Sequence, residues 1–146
     1  MEKGNLYIIA SPIGNMEDIT LRALNILKND IEILYCEDTR QSRKLLNHYE
    51  IKIETRSLHS HSSSRQLDKA IDVIKSGKSI GYITDSGTPA LSDPGSKLVK
   101  LARDHHINII PLPGPSALAT ILSVSGFHEK NVIFAGFLSK KDGKKI

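Results

Sequence analysis

Short apolar runs alternate with amphipathic stretches along the whole chain. Runs suited to strands lie at residues 6–10, 31–36, 53–58, 79–84, 107–112 and 132–137. Between them, apolar residues recur at helical spacing in residues 18–29, 41–49, 63–76, the stretch after 93–94, and 115–125. This alternation is typical of βαβ units, so we predict an α/β fold: a mostly parallel, five-stranded sheet flanked by helices, followed by a final strand at 132–137.

Three local signals predict where the helices begin and end. Asp18 is suited to cap the first helix, and Gly77 follows the third helix as a stop. Asp93 followed by Pro94 predicts the start of the fourth helix, because proline is favoured at the first helical position.

Polar, glycine and proline residues concentrate in the loops that follow the predicted strands. These loops are 11–15 (SPIGN), 37–40 (EDTR), 59–61 (HSH), 85–89 (DSGTP) and 113–117 (PGPSA). The loops at the other ends of the strands resemble ordinary turns. Parallel strands bring their carboxyl ends to one edge of the sheet, where open α/β sheets bind ligands. We therefore predict a ligand site at this edge.

Composition narrows the choice of protein class only a little. The chain has 146 residues, a net charge of +4 and a single cysteine, Cys36, which we expect to be a buried thiol at a strand end. It has no apolar run long enough to cross a membrane and no signal-peptide pattern at its start, so we expect a cytoplasmic protein without membrane contact.

The loop motifs give no support to two common kinds of nucleotide site and leave another kind of ligand site open. Neither a dinucleotide-binding GxGxxG nor a P-loop GxxxxGK[ST] occurs in the chain. Pro-rich and Gly-rich turns with hydroxyl side chains suit a ligand with a ribose and an amino-acid group but no pyrophosphate. His59 and His61 alone do not make a metal site, because zinc requires three or four ligands, and we expect no metal.

Carboxylates at the predicted edge are candidates for acid–base chemistry. Glu37, Asp38, Asp85 and Asp93 follow strands or precede helices there, and Arg40 lies opposite them. Asp93 is best explained as a helix cap, whereas Asp38 is equally open to a role as a cap and to a functional role. Asp85 directly follows a buried strand, so it is the strongest candidate for a functional carboxylate.

Five motifs in order and at matching spacing resemble the ribosomal RNA small subunit methyltransferase I family. They are SPIGNxxDITxRA, CEDTR, DSGTPxxSDPG, PGPSA and GFL, and the resemblance as a whole runs over residues 6–138. The resemblance implies a methyltransferase of the tetrapyrrole methylase superfamily that uses S-adenosyl-L-methionine. Its expected activity is 2′-O-methylation of the ribose of a cytidine in 16S rRNA within the small ribosomal subunit. It also implies a homodimer.

The resemblance further implies a domain boundary and a set of site residues. Residues 1–138 would be an N-terminal domain, and 139–146 a linker into a second domain that this chain lacks; the chain alone would then be inactive. The implied cofactor contacts are Pro12, Ser86, Gly87, Thr88, Leu91, Ser116 and Ala117. The family usually has alanine at the position of Ser86.

The hypothesis for the reaction assigns three residues. Asp85 or Asp38 would orient or deprotonate the ribose hydroxyl, and Arg40 would contact a nearby phosphate. Two other functions remain open: methylation of a tetrapyrrole of the precorrin type, and a binding or dimerisation module without catalysis.

Overall fold

The fold is a parallel sheet covered by helices on both faces. The computed structural model describes residues 2–91, 95–128 and 130–137. Its strands are β1 (Asn5–Ile9), β2 (Ile33–Cys36), β3 (Glu54–Ser57), β4 (Ile80–Ile83) and β5 (Asn108–Leu112). They form a five-stranded sheet in the order β3-β2-β4-β1-β5, and every pair is parallel. The predicted fold class is therefore confirmed.

Helices connect the strands as the periodicity predicts. They are α1 (Leu21–Asn29), α2 (Thr39–His48), α3 (Ser64–Lys75), α4 (Gly95–Asp104) and α5 (Ala117–Val124). No described helix has the length and apolar character that crossing a membrane demands.

Alternate residues of the strands pack into two separate layers of the core, one on each face of the sheet. On one face, Leu6 and Ile8 of β1 pack in the cluster that contains the buried residues of α3 and α4. On the other face, Tyr7 and Ile9 pack in the cluster that contains those of α1 and α2. Because side chains alternate across a strand, near-continuous apolar runs are what a sheet buried on both faces requires.

One predicted boundary is wrong, and its cause is local. Asp18 does not cap α1, because residues Met16–Asp18 form a short 3-10 turn and the helix begins later. Thr20 is the cap instead, and its hydroxyl accepts a hydrogen bond of 3.0 Å from the amide of Ala23. Gly77, with φ +96°, follows α3 as predicted. The predicted cap at 93–94 lies outside the described residues.

The predicted final strand at 132–137 is also wrong. Residues 130–137 contain no strand, and no described strand pairs with them. Their apolar side chains are exposed: Ile133 is 91% and Phe137 is 88% accessible. Helix α5, although apolar, likewise has no buried residue. This apolar run therefore lies outside the packed core and pairs with none of the described strands.

Candidate functional site

The order of the strands places the candidate site above β4 and β1. From β1 the chain passes through α1 to β2 on one side, and from β4 it passes through α4 to β5 on the other. Adjacent strands whose connections leave in opposite directions form a crevice at their carboxyl ends, and ligands of open α/β sheets bind in such a crevice. The loops that leave β1 and β4 are SPIGN and DSGTP.

Backbone hydrogen bonds join these two loops directly. The amide of Ser11 donates to the carbonyl of Gly87 at 3.0 Å, and the amide of Gly87 donates to the carbonyl of Ser11 at 3.2 Å. The Ser11 hydroxyl is buried and donates to the carbonyl of Thr84 at 3.1 Å. The paired loops thus form a fixed wall above the sheet.

The loop after β5 is attached to the same wall. The hydroxyl of Thr88 donates to the carbonyl of Pro115 at 2.8 Å. Ser116 caps α5, and its side-chain oxygen accepts from the amide of Ala119 at 3.3 Å. Both hydroxyls therefore already have structural partners, and the Ser116 oxygen keeps its own proton for a ligand.

A large cavity lies on the α5 side of the wall. Its volume is about 790 Å³, within the range of roughly 300–1,000 Å³ that whole small ligands occupy. All of the predicted cofactor contacts except Pro12 line it: Ser86, Gly87, Thr88, Leu91, Ser116 and Ala117. Residues that sequence reasoning missed complete its apolar side: Ile13, Leu118, Phe134 and Phe137. We call it the larger cavity.

A second cavity lies on the α2 side of the wall. Its volume is about 180 Å³, and we call it the smaller cavity. Pro12 lines this cavity, apart from the other predicted cofactor contacts. Gln41 and Lys44 reach it from α2, and Met16 from the 3-10 turn. None of these three residues was predicted from the sequence, although the spacing of Gln41 and Lys44 places both on one helix face.

Asp85 lines both cavities. One of its carboxylate oxygens accepts a hydrogen bond of 3.2 Å from the amide of Asp38. Its own amide donates to the Glu37 carboxylate at 3.4 Å. Partial burial of its carboxyl group raises the pKa of Asp85, and the negative charge of Asp38 acts in the same direction. The raised pKa makes this carboxylate a better proton acceptor than an ordinary aspartate.

Asp38 and Arg40 form an ion pair at the start of α2. The Asp38 carboxylate caps the helix by accepting from the amide of Arg40 at 2.9 Å, and it accepts from the guanidinium at 2.8 and 3.1 Å. These bonds lower the pKa of Asp38. Neither residue lines either cavity. Of the two roles that the sequence left open for Asp38, the structure provides the cap.

Cys36 is a buried thiol at the end of β2, as predicted. Burial raises its pKa to about 11, so the thiol stays protonated near neutral pH. It lies beneath the site as part of the core on the α1 and α2 face.

The loop after β3 does not contribute to either cavity. The rings of His59 and His61 lie 6.2 Å apart, and the amide of His61 donates to Nδ1 of His59 at 3.2 Å. In the part of the chain that the structure describes, no three histidine, cysteine or acidic residues converge as metal ligands. Since β3 is an edge strand, its loop lies farthest from the crevice above β4 and β1.

Replacing Gly87 with alanine should destabilise the chain by about 1–2 kcal/mol, because its φ of +81° is costly for any residue with a Cβ. The added Cβ would also lie 3.3 Å from the side chain of Ile13. Ser86→Ala in the same loop is the matched control, and it should change stability by no more than about 0.5 kcal/mol. Urea denaturation measures both. Equal stability of the two variants would contradict the left-handed backbone conformation of Gly87 in the wall.

Comparisons with known proteins agree with this architecture. Residues 5–145 match the family described as Tetrapyrrole (Corrin/Porphyrin) Methylases. Among solved structures, a uroporphyrin-III-C-methyltransferase from Thermus thermophilus is similar with a TM-score of 0.63 and 18% identity. That similarity covers 84% of this chain and 53% of the other, and at this identity it concerns the fold alone.

Curated relatives are much closer in sequence. The "Ribosomal RNA small subunit methyltransferase I" of Leptospira biflexa is 44% identical over 99% of this chain and 60% of its own length. The protein of the same name from Mesorhizobium japonicum is 46% identical over 97% of this chain and 48% of its own length. The resemblance that the motifs indicated is thereby confirmed. The chain spans about half to three fifths of these relatives.

Proposed function

The chain belongs to the family of tetrapyrrole (corrin/porphyrin) methylases, and we propose on this basis that it carries the cofactor site of an S-adenosylmethionine-dependent rRNA methyltransferase. One observation carries the proposal. Six of the seven predicted cofactor contacts, from two of the motifs that resemble the rRNA enzymes, line one cavity at the switch point of the sheet, and Asp85 stands at its border. The relatives named as rRNA methyltransferases match nearly the whole chain, which favours RNA as the substrate.

The larger cavity fits S-adenosyl-L-methionine in size and chemistry. Its volume suits a whole cofactor, whereas the smaller cavity is too small for one. Backbone groups of the wall and the hydroxyls of Ser86 and Ser116 suit the ribose and amino-acid parts. Phe134 and Phe137 provide an apolar wall for a purine ring. When bound, the cofactor supplies a methyl group attached to its sulfonium sulfur, and the rest of the cofactor leaves as a neutral thioether.

Asp85 is the proposed base for the acceptor, the 2′-hydroxyl of a cytidine ribose in 16S rRNA. Its carboxylate takes the hydroxyl proton while the hydroxyl oxygen forms the new bond to the methyl carbon and the carbon–sulfur bond breaks. The raised pKa supports this assignment over Asp38, whose carboxylate is already bonded to Arg40. Asp38 instead acts as a positioning residue, since its amide holds one oxygen of Asp85.

Arg40 is proposed to contact a phosphate of the RNA backbone. Its side chain is 85% exposed, and it keeps donors beyond the two that bind Asp38. Such a contact would position the RNA without reading its sequence.

The domain organisation belongs to the same proposal. Residues 1–138 form one domain, and 139–146 lead into a second domain that closes the larger cavity. The exposed apolar side chains of α5 and residues 130–137 support this arrangement, because an apolar surface of this kind usually marks an interface. A homodimer, a cytoplasmic location and the small ribosomal subunit as substrate complete the proposal.

A tetrapyrrole methyltransferase is the second candidate function. The similarity to uroporphyrin-III-C-methyltransferase favours it only at the level of the fold, because the identity is 18%. The similarity to the rRNA enzymes, at 44% and 46% identity, favours RNA over a tetrapyrrole as the substrate.

Two measurements test the proposed function. Calorimetry with S-adenosylmethionine should detect binding to the extended protein, by which we mean this chain with the residues encoded after Ile146. The extended protein should then methylate small ribosomal subunits but not precorrins. Residues 1–146 alone should show no turnover, because an open cavity leaves the reacting groups exposed to water. Turnover by the chain alone, or no cofactor binding by the extended protein, would contradict the proposal.

A further inference from the structure

The smaller cavity contains only one of the seven predicted cofactor contacts, Pro12, and it shares Asp85 with the larger cavity. We infer that the smaller cavity is the acceptor subsite, in which the target ribose lies against α2 and Lys44 binds a flanking phosphate of the RNA. This inference rests on the proposed function and assigns the acceptor to named residues.

The wall formed by the SPIGN and DSGTP loops separates the two cavities. Along the first loop, Pro12 and Gly14 line the smaller cavity, while Ile13 between them lines the larger. The paired hydrogen bonds of Ser11 and Gly87 hold the wall in place. Only Thr84 and Asp85 line both cavities among the described residues. A group transferred from one cavity to the other must therefore pass beside them.

The volumes of the two cavities indicate which ligand each of them can hold. The larger cavity, about 790 Å³, accommodates a whole cofactor, and the smaller, about 180 Å³, falls below the usual range of roughly 300–1,000 Å³ for complete ligands. It suits one ring of a larger substrate whose remainder stays outside. A single nucleotide splayed out of an RNA strand meets that description, since proteins bind RNA specifically through such unstacked nucleotides.

The lining matches the chemistry of a ribose and its phosphate. Met16 and Leu45 provide an apolar surface for the carbon face of the sugar, and Asp85 provides a hydrogen-bond acceptor for its hydroxyl. Lys44 is exposed at the mouth and forms no ion pair with any described carboxylate. Arg40, by contrast, lines neither cavity, so its proposed phosphate contact lies farther from the acceptor. Lys44 is thus a cation free to bind a phosphate directly beside the acceptor hydroxyl.

Gln41 lies one helical turn from Lys44 on the same face of α2. Its amide both donates and accepts hydrogen bonds, so it can pair with the edge of a base or with a sugar oxygen. Since both side chains are exposed, their removal should leave the fold intact.

Steady-state methylation of small ribosomal subunits by the extended protein tests the inference, with Lys44→Ala and Gln41→Ala as variants. Lys44→Ala should raise KM for the subunits about tenfold. The slope of log KM against the logarithm of the salt concentration should also decrease by about one, because one phosphate contact is lost. Gln41→Ala should raise KM without that change in salt dependence. Both variants should keep their affinity for S-adenosylhomocysteine, measured by calorimetry, within about twofold, since the cofactor lies beyond the wall.

Lys69→Ala is the matched control, because Lys69 is an exposed lysine within α3 that lines neither cavity. An unchanged KM for Lys44→Ala in an active enzyme would overturn the acceptor assignment and leave the proposed function standing. Weaker binding of S-adenosylhomocysteine by Lys44→Ala would also overturn it, because the smaller cavity would then belong to the cofactor. A wild-type protein that binds no cofactor and methylates no RNA would instead overturn the proposed function, and this inference with it.

Discussion

Replacing Asp85 with asparagine should lower the rate of methyl transfer by the extended protein by about two to four orders of magnitude. The substitution keeps the size of the side chain and an oxygen that can accept from the amide of Asp38. It removes the basic carboxylate that borders both cavities. Single-turnover kinetics with saturating S-adenosylmethionine measure the chemical step without a contribution from product release.

The same substitution at Asp38 is the control for Asp85→Asn. Asparagine caps a helix about as well as aspartate, so Asp38→Asn should keep α2 and lose only the solvent-screened ion pair with Arg40. Its rate should fall less than about tenfold, an expectation that follows from its positioning role. Similar losses in the two variants, or a rate of Asp85→Asn near that of the wild type, would contradict the assignment of the base.

The pH profile adds an independent readout on Asp85. A base must be deprotonated to act, so the wild-type rate should fall as the pH falls through the pKa of Asp85, which lies above the ordinary aspartate value of about 3.9. Asp85→Asn should lose this acidic limb of the profile. If the acidic limb of the profile persists in Asp85→Asn, a group other than Asp85 causes it.

Replacing Leu34 with alanine should destabilise the chain by about 2–5 kcal/mol. Leu34 is fully buried in β2 and belongs to the core cluster that packs α1 and α2 against the sheet. Its side chain also fills space above Gly81 of the neighbouring strand, where an added Cβ would lie 3.0 Å from it. The substitution leaves a cavity that a close-packed layer cannot fully close, and thermal or urea denaturation measures the loss.

Leu21→Ala provides the same chemical change on the surface. Leu21 is 85% exposed at the start of α1, so its replacement should alter stability by no more than about 0.5 kcal/mol. A small loss for Leu34→Ala, comparable with that for Leu21→Ala, would contradict the packing of α1 and α2 on this face of the sheet.

The strands of the fold were predictable because burial follows the apolar runs of the sequence closely. β2 and β4 are buried at every position, as the apolar runs around Leu34 and Tyr82 indicate. The gathering of the loops at one edge followed from the parallel arrangement alone. The run at 132–137 misled the prediction because its β-rich composition is real, but a strand also requires a partner, and none of the described strands provides one.

The candidate site was predictable as a set of residues but not as a shape. The motifs identified the contacts of the larger cavity, yet nothing in the spacing indicates that Pro12 and Ile13 face different cavities. That division depends on the hydrogen bonds between Ser11 and Gly87, which are far apart in sequence. Gln41 and Lys44 were missed for a similar reason, because they follow the EDTR motif and look like ordinary residues of an exposed helix face.

The most direct test of the proposed function is the identity of the methylated nucleoside. Small ribosomal subunits would be incubated with the extended protein and S-adenosylmethionine, and the rRNA would then be digested to nucleosides for mass spectrometry. The proposal predicts 2′-O-methylcytidine in the wild-type reaction and a greatly reduced amount with Asp85→Asn. Methylation on a base, or no methylated nucleoside from a protein that binds the cofactor, would contradict it.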